Sequence, residues 1–546
     1  MSEQSRGDAS RMNVKPSGLD VRGQVVMGMD LQCTIRELIA AGEIPKALVA
    51  LRSGWDHYLR DNGAARAREL CSEFDTFDLL RSVETASIVW LLNAVPPELE
   101  PLGPFATRIL TAREEDIRVL GVRDRTTVMT ATMLVWMSRG RLDRASLTAQ
   151  RSLDDLGRAG HLSPTTIGPV YAEFLLAIAR VKLFGGALRE SVELFNEVLA
   201  YSEVAGAAVT TYRALVGQAI AFALNAEFGV AQDLISSAKD IGPDAEYDWN
   251  RQAVELTWCQ TLIWAYQGQN IELNAAAQRV SARASVEPEW RELARILEAR
   301  VLLSEGRDLE AANILKNLLQ SVAVSNEFPL LEDSATFLLG LALIKADQPN
   351  AALRAIDKAP ATTMHMSGLV AVRAFALIGR GQPDAAIEVT DACLELGREH
   401  PGLLLVYVHG ARAVAFELLG LHSSAEYSMS AGFSLAVSAG IHMERDIFAG
   451  PELEYLWQRV ESKRRSECEE RYSAGSRSDT GARLAQLTPK EREVLRRLAR
   501  PGTLADVAAD LFITENTVKT HAKSIYRKLS IRSRAEASDL VNAAGH

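Results

Sequence analysis

From about residue 30 to residue 460 the apolar positions recur at helical spacing, in Ala/Leu-rich stretches separated by short breaks. Strand-like alternation of β-branched residues is scarce, so the pattern predicts helices throughout. The breaks share a register in which a turn-forming residue is followed five positions later by a small one. It recurs as Gly42/Ala47, Gly140/Ala145, Gly186/Ser191, Ala226/Ala231, Gly306/Ala311, Asp347/Ala352, Gly381/Ala386 and Gly420/Ala425. Gly268 keeps the turn position, with Leu273 where the small residue is expected. The turn residue lets the chain reverse, and the small residue lets the second helix approach the first closely. LIGRGQPDAAIEVTDACLEL and LIKADQPNAALRAIDKAP match almost position for position, with Pro383 and Pro349 in the first turn of the second helix, where proline is tolerated. From Gly140 onward the period is about 40 residues, a helical-hairpin repeat. Residues 50–135, with Pro96, Pro97, Pro101 and Pro104, fit the register least well.

In the last sixty residues the pattern changes. Val518, Ala522, Ile525 and Leu529 fall on one stripe of a helix. Asn516, Thr520, Lys523 and Arg527 point away from that stripe, with Lys519 and Ser524 on its flanks. Thr514 is the expected N-cap and Glu515 sits in the first turn. Upstream, Thr488, Pro489 and Glu491 form a capping-box pattern ahead of the stripe Val494, Leu495 and Leu498. Thr503 caps a short helix in which Leu504, Val507, Ala508 and Leu511 are available for packing, and Arg534 to Ala543 forms a final helix.

Length and charge refine this picture. At 546 residues the chain exceeds one hydrophobic core, and its 47% apolar content excludes wholesale disorder. No run of about 18 uncharged apolar residues is present, and MSEQSRGDASRMNVKPSGLD lacks the apolar segment of a signal peptide, so a cytoplasmic protein with no membrane partner is expected. Cys33, Cys71, Cys259, Cys393 and Cys468 are far apart and form no CxxC or Cys/His cluster. They read as reduced core thiols, with Cys468 set apart in a charged linker, and no metal site or cofactor is expected. The net charge of −10 is unevenly divided, with eleven Lys/Arg against seven Asp/Glu from residue 487 onward. That leaves +4 on the tail and −14 on the rest, the distribution of a regulator rather than of a general nucleic-acid coat. None of the 12 lysines follows a glycine, which excludes a Walker A loop. No Ser/His/Asp or metal-spaced set stands out, so the chain does not read as an enzyme.

The repeats resemble tetratricopeptide repeats, with a longer, more ragged period and without the aromatic consensus. The motifs LTPKEREVL, LFITENTVKTHAKSIYRKL and SRAEA make the tail similar to the LuxR-type four-helix DNA-binding domain over about residues 484–543. The resemblance implies a bacterial transcription regulator, with the helix after Thr514 in the major groove of double-stranded DNA, residues 503–511 buttressing it and the last helix making a homodimer contact. It implies Lys519, Thr520 and Lys523 as groove contacts, with Asn516, Thr517 and Arg527 near phosphates and Thr514 beside them at the helix start. His521, beside the buried stripe, reads as a packed imidazole. Where the family usually has a turn such as GLSNKEIA, this chain has PGTLADVA. Ala505 and Asp506 thus replace a basic–acidic pair, and one phosphate contact is expected to be lost.

The fold class expected is all-α. It comprises an N-terminal disordered segment (1–27), an α-solenoid of degenerate tetratricopeptide-like hairpins (28–460), a linker (461–483) and a helix-turn-helix domain (484–546). The resemblance is to large LuxR-type regulators that carry helical repeats, without their ATPase. On that reading the concave face of the array binds an effector (peptide, protein or small molecule), and RNA polymerase is a further partner. Trp249, Trp258, Trp264, Tyr266 and Trp290 are the densest aromatic stretch and the candidate effector pocket, although interhelical packing is the commoner use of such residues. The alternative function is an adaptor whose array grips a partner protein.

Overall fold

The computed structural model describes residues 30–92, 103–158, 167–168, 170–205, 208–241, 250–287, 290–321, 328–357, 368–396, 401–441, 455–463, 487–500, 502–529, 531 and 534–543. The N-terminal segment 1–27, Trp249, Cys468, most of the expected linker and the prolines 96, 97, 101 and 501 lie outside them. Among the described residues there is no strand, no cluster of His, Cys, Asp and Glu that could hold a metal ion, and no helix long and apolar enough to cross a membrane.

The repeat register has a direct backbone cause. Each helix that ends at a register turn does so in a left-handed residue; Gly140 has φ 66°, and even the non-glycine turn residues Ala226 and Asp347 have φ 62° and 55°. At Gly140 the N–H of the glycine reaches the Met137 carbonyl at 2.9 Å and the N–H of Arg141 reaches the Trp136 carbonyl at 2.9 Å. This closing pair of bonds satisfies carbonyls that the helix leaves open. The small residues five positions on are all buried, Ala47, Ala145, Ser191, Ala231, Ala311, Ala352 and Ala425 completely so. Leu273, the large residue at this position, is buried as well.

Within each hairpin the two helices differ. First helices such as Val170–Phe184, Ala208–Leu224, Pro329–Lys345 and Gly402–Leu418 are apolar nearly all round and buried on most sides. Second helices such as Phe228–Ile241 and Asn270–Ala284 bury a single stripe. A helix apolar on every side needs neighbours on every side, so the first helices form an inner layer. That layer folds back on itself. The Ala208–Leu224 helix touches the Gly402–Leu418 helix, nearly two hundred residues later in the chain. There a Cβ on Gly402 would come within 2.8 Å of the Asn225 carbonyl oxygen. Tyr407 packs edge-on against both Tyr266 (5.9 Å) and Phe337 (5.7 Å), and Trp258 against Phe328 (5.3 Å). Aromatic side chains thus pack across the interior, and a cleft opens among them.

The N-terminal part departs from the hairpin pattern, as its sequence does. Short helices Thr76–Leu80, Val83–Leu91, Pro104–Leu110 and Glu114–Arg118 stand there, and Gly63 (φ 81°, ψ 171°) kinks the Ile44–Ser72 segment. Cys33 is exposed, contrary to the reading of a core thiol, whereas Cys71, Cys259 and Cys393 are buried. At the other end a helix over 455–463 places Leu456 and Val460 against the array core, and Trp457 packs on Phe433 at 4.8 Å. The first residues of the expected linker thus continue this helix, with Lys463 held by Glu426.

A second, smaller core follows. Leu487, Val494, Leu495, Leu498, Val507, Val518, Ile525, Leu529, Ala537 and Val541 join helices Pro489–Leu498, Leu504–Asp510, Glu515–Leu529 and Arg534–Ala543.

Candidate nucleic-acid interface and array cleft

The Glu515–Leu529 helix is positioned by its apolar stripe: Val518, Ile525 and Leu529 are fully buried and Ala522 nearly so. Thr514 starts the helix as expected, its Oγ1 accepting the Thr517 N–H at 3.2 Å. Asn516, Lys519, Thr520, Lys523 and Arg527 are exposed, and Thr517 and His521 are half-buried. Thr520 donates to the Asn516 carbonyl at 3.0 Å, which fixes its hydroxyl along the helix surface. Lys519, Lys523 and Arg527, four residues apart, form one row and make no hydrogen bond or ion pair among the described residues. Three further cations of this domain are neutralised within it: Lys490 by Glu493, Arg497 by Asp510 and Lys528 by Glu491.

Glu491 does more than complete the capping box. Its carboxylate accepts the Thr488 N–H at 2.9 Å, the Ser524 hydroxyl at 2.7 Å and the Lys528 ammonium at 2.6 Å. Lys528, and then the Thr488 and Ser524 hydrogen bonds, pull this buried carboxyl down to about 2. From the flank of the buried stripe Ser524 therefore faces the first helix, a contact that the helical wheel could not assign because Glu491 lies 33 residues away. The motif PGTLADVA keeps a second capping box. Thr503 and Asp506 satisfy each other's backbone N–H groups at 2.6 and 3.1 Å, so Asp506 is committed to the cap and Ala505 is exposed. The last helix is tied down by Arg534, which donates to the carbonyls of Leu498 (2.6 Å), Arg500 (2.6 Å) and Gly502.

Residues 485–541 match the family described as "Bacterial regulatory proteins, luxR family". These residues form a LuxR-type helix-turn-helix domain. Over 58 residues the chain is 38% identical to the "CsgBAC operon transcriptional regulatory protein" of Escherichia coli K12, covering 11% of this chain and 27% of that one. Over 63 residues it is 40% identical to the "Nitrate/nitrite response regulator protein NarL" of the same organism, covering 12% and 29%. A longer match, 25% identity over 223 residues, covers 36% of this chain and 25% of a Mycobacterium bovis protein named as an HTH-type transcriptional regulator, Mb0914c. The chain thus spans little more than a quarter of the length of the curated relatives it matches. Among solved structures, "Crystal Structure of P58(IPK) TPR Domain at 2.5 A" covers 72% of this chain and 98% of that one, at 14% identity and a TM-score of 0.20.

The LuxR-type domain meets the array through its helix-turn-helix turn. Phe512, left-handed at φ 52°, places its ring edge-on against Phe222 at 5.0 Å. Nearby, burial pushes the Glu227 carboxyl up to about 7, with Glu493 of the LuxR-type domain adding and Asn225, Lys490 and Arg497 opposing. Phe222 lies on the Ala208–Leu224 helix, whose last residue, Leu224, lines the interior cleft.

That cleft holds about 660 Å³ of space, counted out through its mouth. Its apolar wall includes Trp258, Tyr266, Leu297, Phe337 and Leu404, and its polar groups include Arg300, Asp333 and Ser334. Of the expected effector aromatics it brings together Trp258 and Tyr266. Trp258 is oriented by its Nε1, which donates to the Ser334 hydroxyl at 3.0 Å. Trp264 is half-buried elsewhere, and Trp290 is buried under Arg283, whose guanidinium lies 4.2 Å from its ring. Neither lines this cleft. Arg300 and Asp333 belong to the cleft and were not singled out by sequence, since isolated charges in amphipathic helices are usually solvated.

Proposed function

We propose that this protein is a bacterial DNA-binding transcriptional regulator, which binds promoter duplex as a homodimer and is controlled by an effector received in the interior of its helical array. The observation that carries the DNA-binding part is the row of Lys519, Lys523 and Arg527, exposed and unpaired on a helix whose opposite stripe is fixed in the core of the LuxR-type domain. Unpaired, hydrated cations on a rigid helix match phosphates and base edges, while Thr520 and Asn516 add polar contacts between them. Asn516, Thr517 and Thr514 at the N-terminal end of the helix suit phosphate binding, where backbone N–H groups favour an anion. Homodimerisation through the last helix, recruitment of RNA polymerase and a cytoplasmic location complete this reading. The names of the matched proteins support a role in transcription.

Control by the array is supported by one continuous element. The Ala208–Leu224 helix touches the cleft at Leu224 and the LuxR-type domain at Phe222, so a change of packing in the cleft is passed two residues along a helix. Genome-wide immunoprecipitation of the intact protein is the test. Discrete promoter peaks that vanish in the Lys519→Ala, Thr520→Ala, Lys523→Ala variant support the reading. Unchanged peaks in that variant, or none for the wild type, would favour an adaptor role for the array.

A further inference from the structure

Only two arginines among the described residues are at least nine-tenths buried, and they are treated differently. Arg180 (9% exposed) gives two parallel hydrogen bonds, 2.8 and 2.7 Å, to the Glu255 carboxylate. Among the described residues Arg300 (8% exposed) has no acceptor: its guanidinium forms no hydrogen bond or ion pair with them, and its Nε is fully buried. The Tyr266 ring lies beside it, its centroid 5.2 Å from the guanidinium carbon. A ring face attracts the cation but accepts no hydrogen bond from its donors, and the enclosed Nε–H has no acceptor among the described residues. Both Arg300 and Tyr266 stand in the cleft wall. Burying a guanidinium without an acceptor is among the costlier arrangements a protein can hold, and it is sustained where a ligand supplies the acceptor.

We propose that the cleft binds a small, largely apolar carboxylic acid in its ionised form, with the carboxylate paired to Arg300 and the hydrocarbon or aromatic body against Trp258, Phe337 and Leu404. This rests on the reading of the array interior as the effector site and names the class of effector. The planar fork of the guanidinium matches a carboxylate bidentately, and the surrounding side chains exclude a heavily hydrated ligand. Asp333, also in the wall, makes no hydrogen bond or ion pair among the described residues. Burial, with Glu332 adding, pushes its carboxyl up to about 8, so near neutrality it is protonated and offers the bound carboxylate no repulsion. Ser334, which already accepts from Trp258, has its own proton left to donate.

The test is isothermal titration calorimetry of the full chain at neutral pH with 4-phenylbutyrate, indole-3-propionate and octanoate, each beside its uncharged amide. At least one acid is expected to bind, its amide about tenfold or more weaker, and Arg300→Gln to weaken the acid by a similar factor while leaving the amide unchanged. Acid and amide binding equally, Arg300→Gln binding the acid as the wild type does, or no acid binding at about millimolar concentration would each overturn the proposal. The acid–amide comparison uses the unmodified chain and decides the matter even if the variant folds poorly. Duplex binding is measured on the same samples. A chain that shifts duplex but binds no acid removes the cleft assignment alone, and one that binds acid but no duplex removes the regulator reading alone.

Discussion

Lys519, Lys523 and Arg527 on the one hand and Arg300 on the other have no ion pair among the described residues, and their settings differ. Lys519, Lys523 and Arg527 lie in water along one edge of a helix, where an unpaired charge is solvated and carries little penalty. Arg300 lies among aromatic and aliphatic side chains, where the same condition is expensive. An exposed row suits an extended polyanion, whose counterions are released on contact. A single enclosed guanidinium suits one small anion. The setting of the charge, more than the charge itself, separates a surface suited to a duplex from a cleft suited to a ligand, and Arg180 with its Glu255 partner shows how the same array neutralises a buried arginine permanently.

The largest effect is expected from removing the carboxylate that neutralises Lys528 on the Glu515–Leu529 helix. Glu491→Ala deletes a buried anion shared by Thr488, Ser524 and Lys528 and is expected to destabilise the LuxR-type domain by about 3 kcal/mol, read from urea unfolding. The same group predicts acid sensitivity. Its folded value of about 2 lies below the ordinary 4.5, so its contribution is complete above about pH 4.5 and is lost as the pH falls toward 2. Glu491→Gln should flatten that part of the stability profile. A smaller effect of opposite sign is expected in the array: Arg300→Met exchanges an unpaired buried cation for an apolar chain of similar length and should stabilise the ligand-free protein by about 1–2 kcal/mol, after loss of the contact with Tyr266. Lys523→Met should leave the unfolding midpoint unchanged. A lower midpoint for Arg300→Met would break the contrast. The smallest effect is expected at Ala226, left-handed at φ 62° in the turn after the Ala208–Leu224 helix. Ala226→Gly relieves that conformation and should add about 0.5 kcal/mol without altering duplex or acid binding, so a change in either would make turn strain the controlling factor.

Most of the architecture is legible in the sequence because the turn physics is local. Gly140 with Ala145 and Gly306 with Ala311 each announce a reversal and a close approach within six residues, and the structure has both. The stripe Val518, Ala522, Ile525 and Leu529 likewise fixes the outward face of its helix, because burial on one side determines exposure on the other. What the sequence conceals is contact over long separation. Closure of the inner layer depends on Asn225 meeting Gly402, and the inward turn of Ser524 depends on Glu491. Arg300 is the clearest case. Nothing in its flanking residues distinguishes it from Arg295 or Arg307, which hold exposed glutamates, until the helices opposite are in place.

The account turns on whether the exposed row meets phosphates. The most direct measurement is fluorescence anisotropy of the full chain on duplexes from its own upstream region, across a series of salt concentrations, for the wild type and for Lys519→Gln, Lys523→Gln, Arg527→Gln. The wild type should bind with a steep fall in affinity as salt rises, and the variant should lose at least about a hundredfold at low salt, with the log–log slope reduced by about 2 to 3. Equal affinity and equal slope in the two proteins would contradict it.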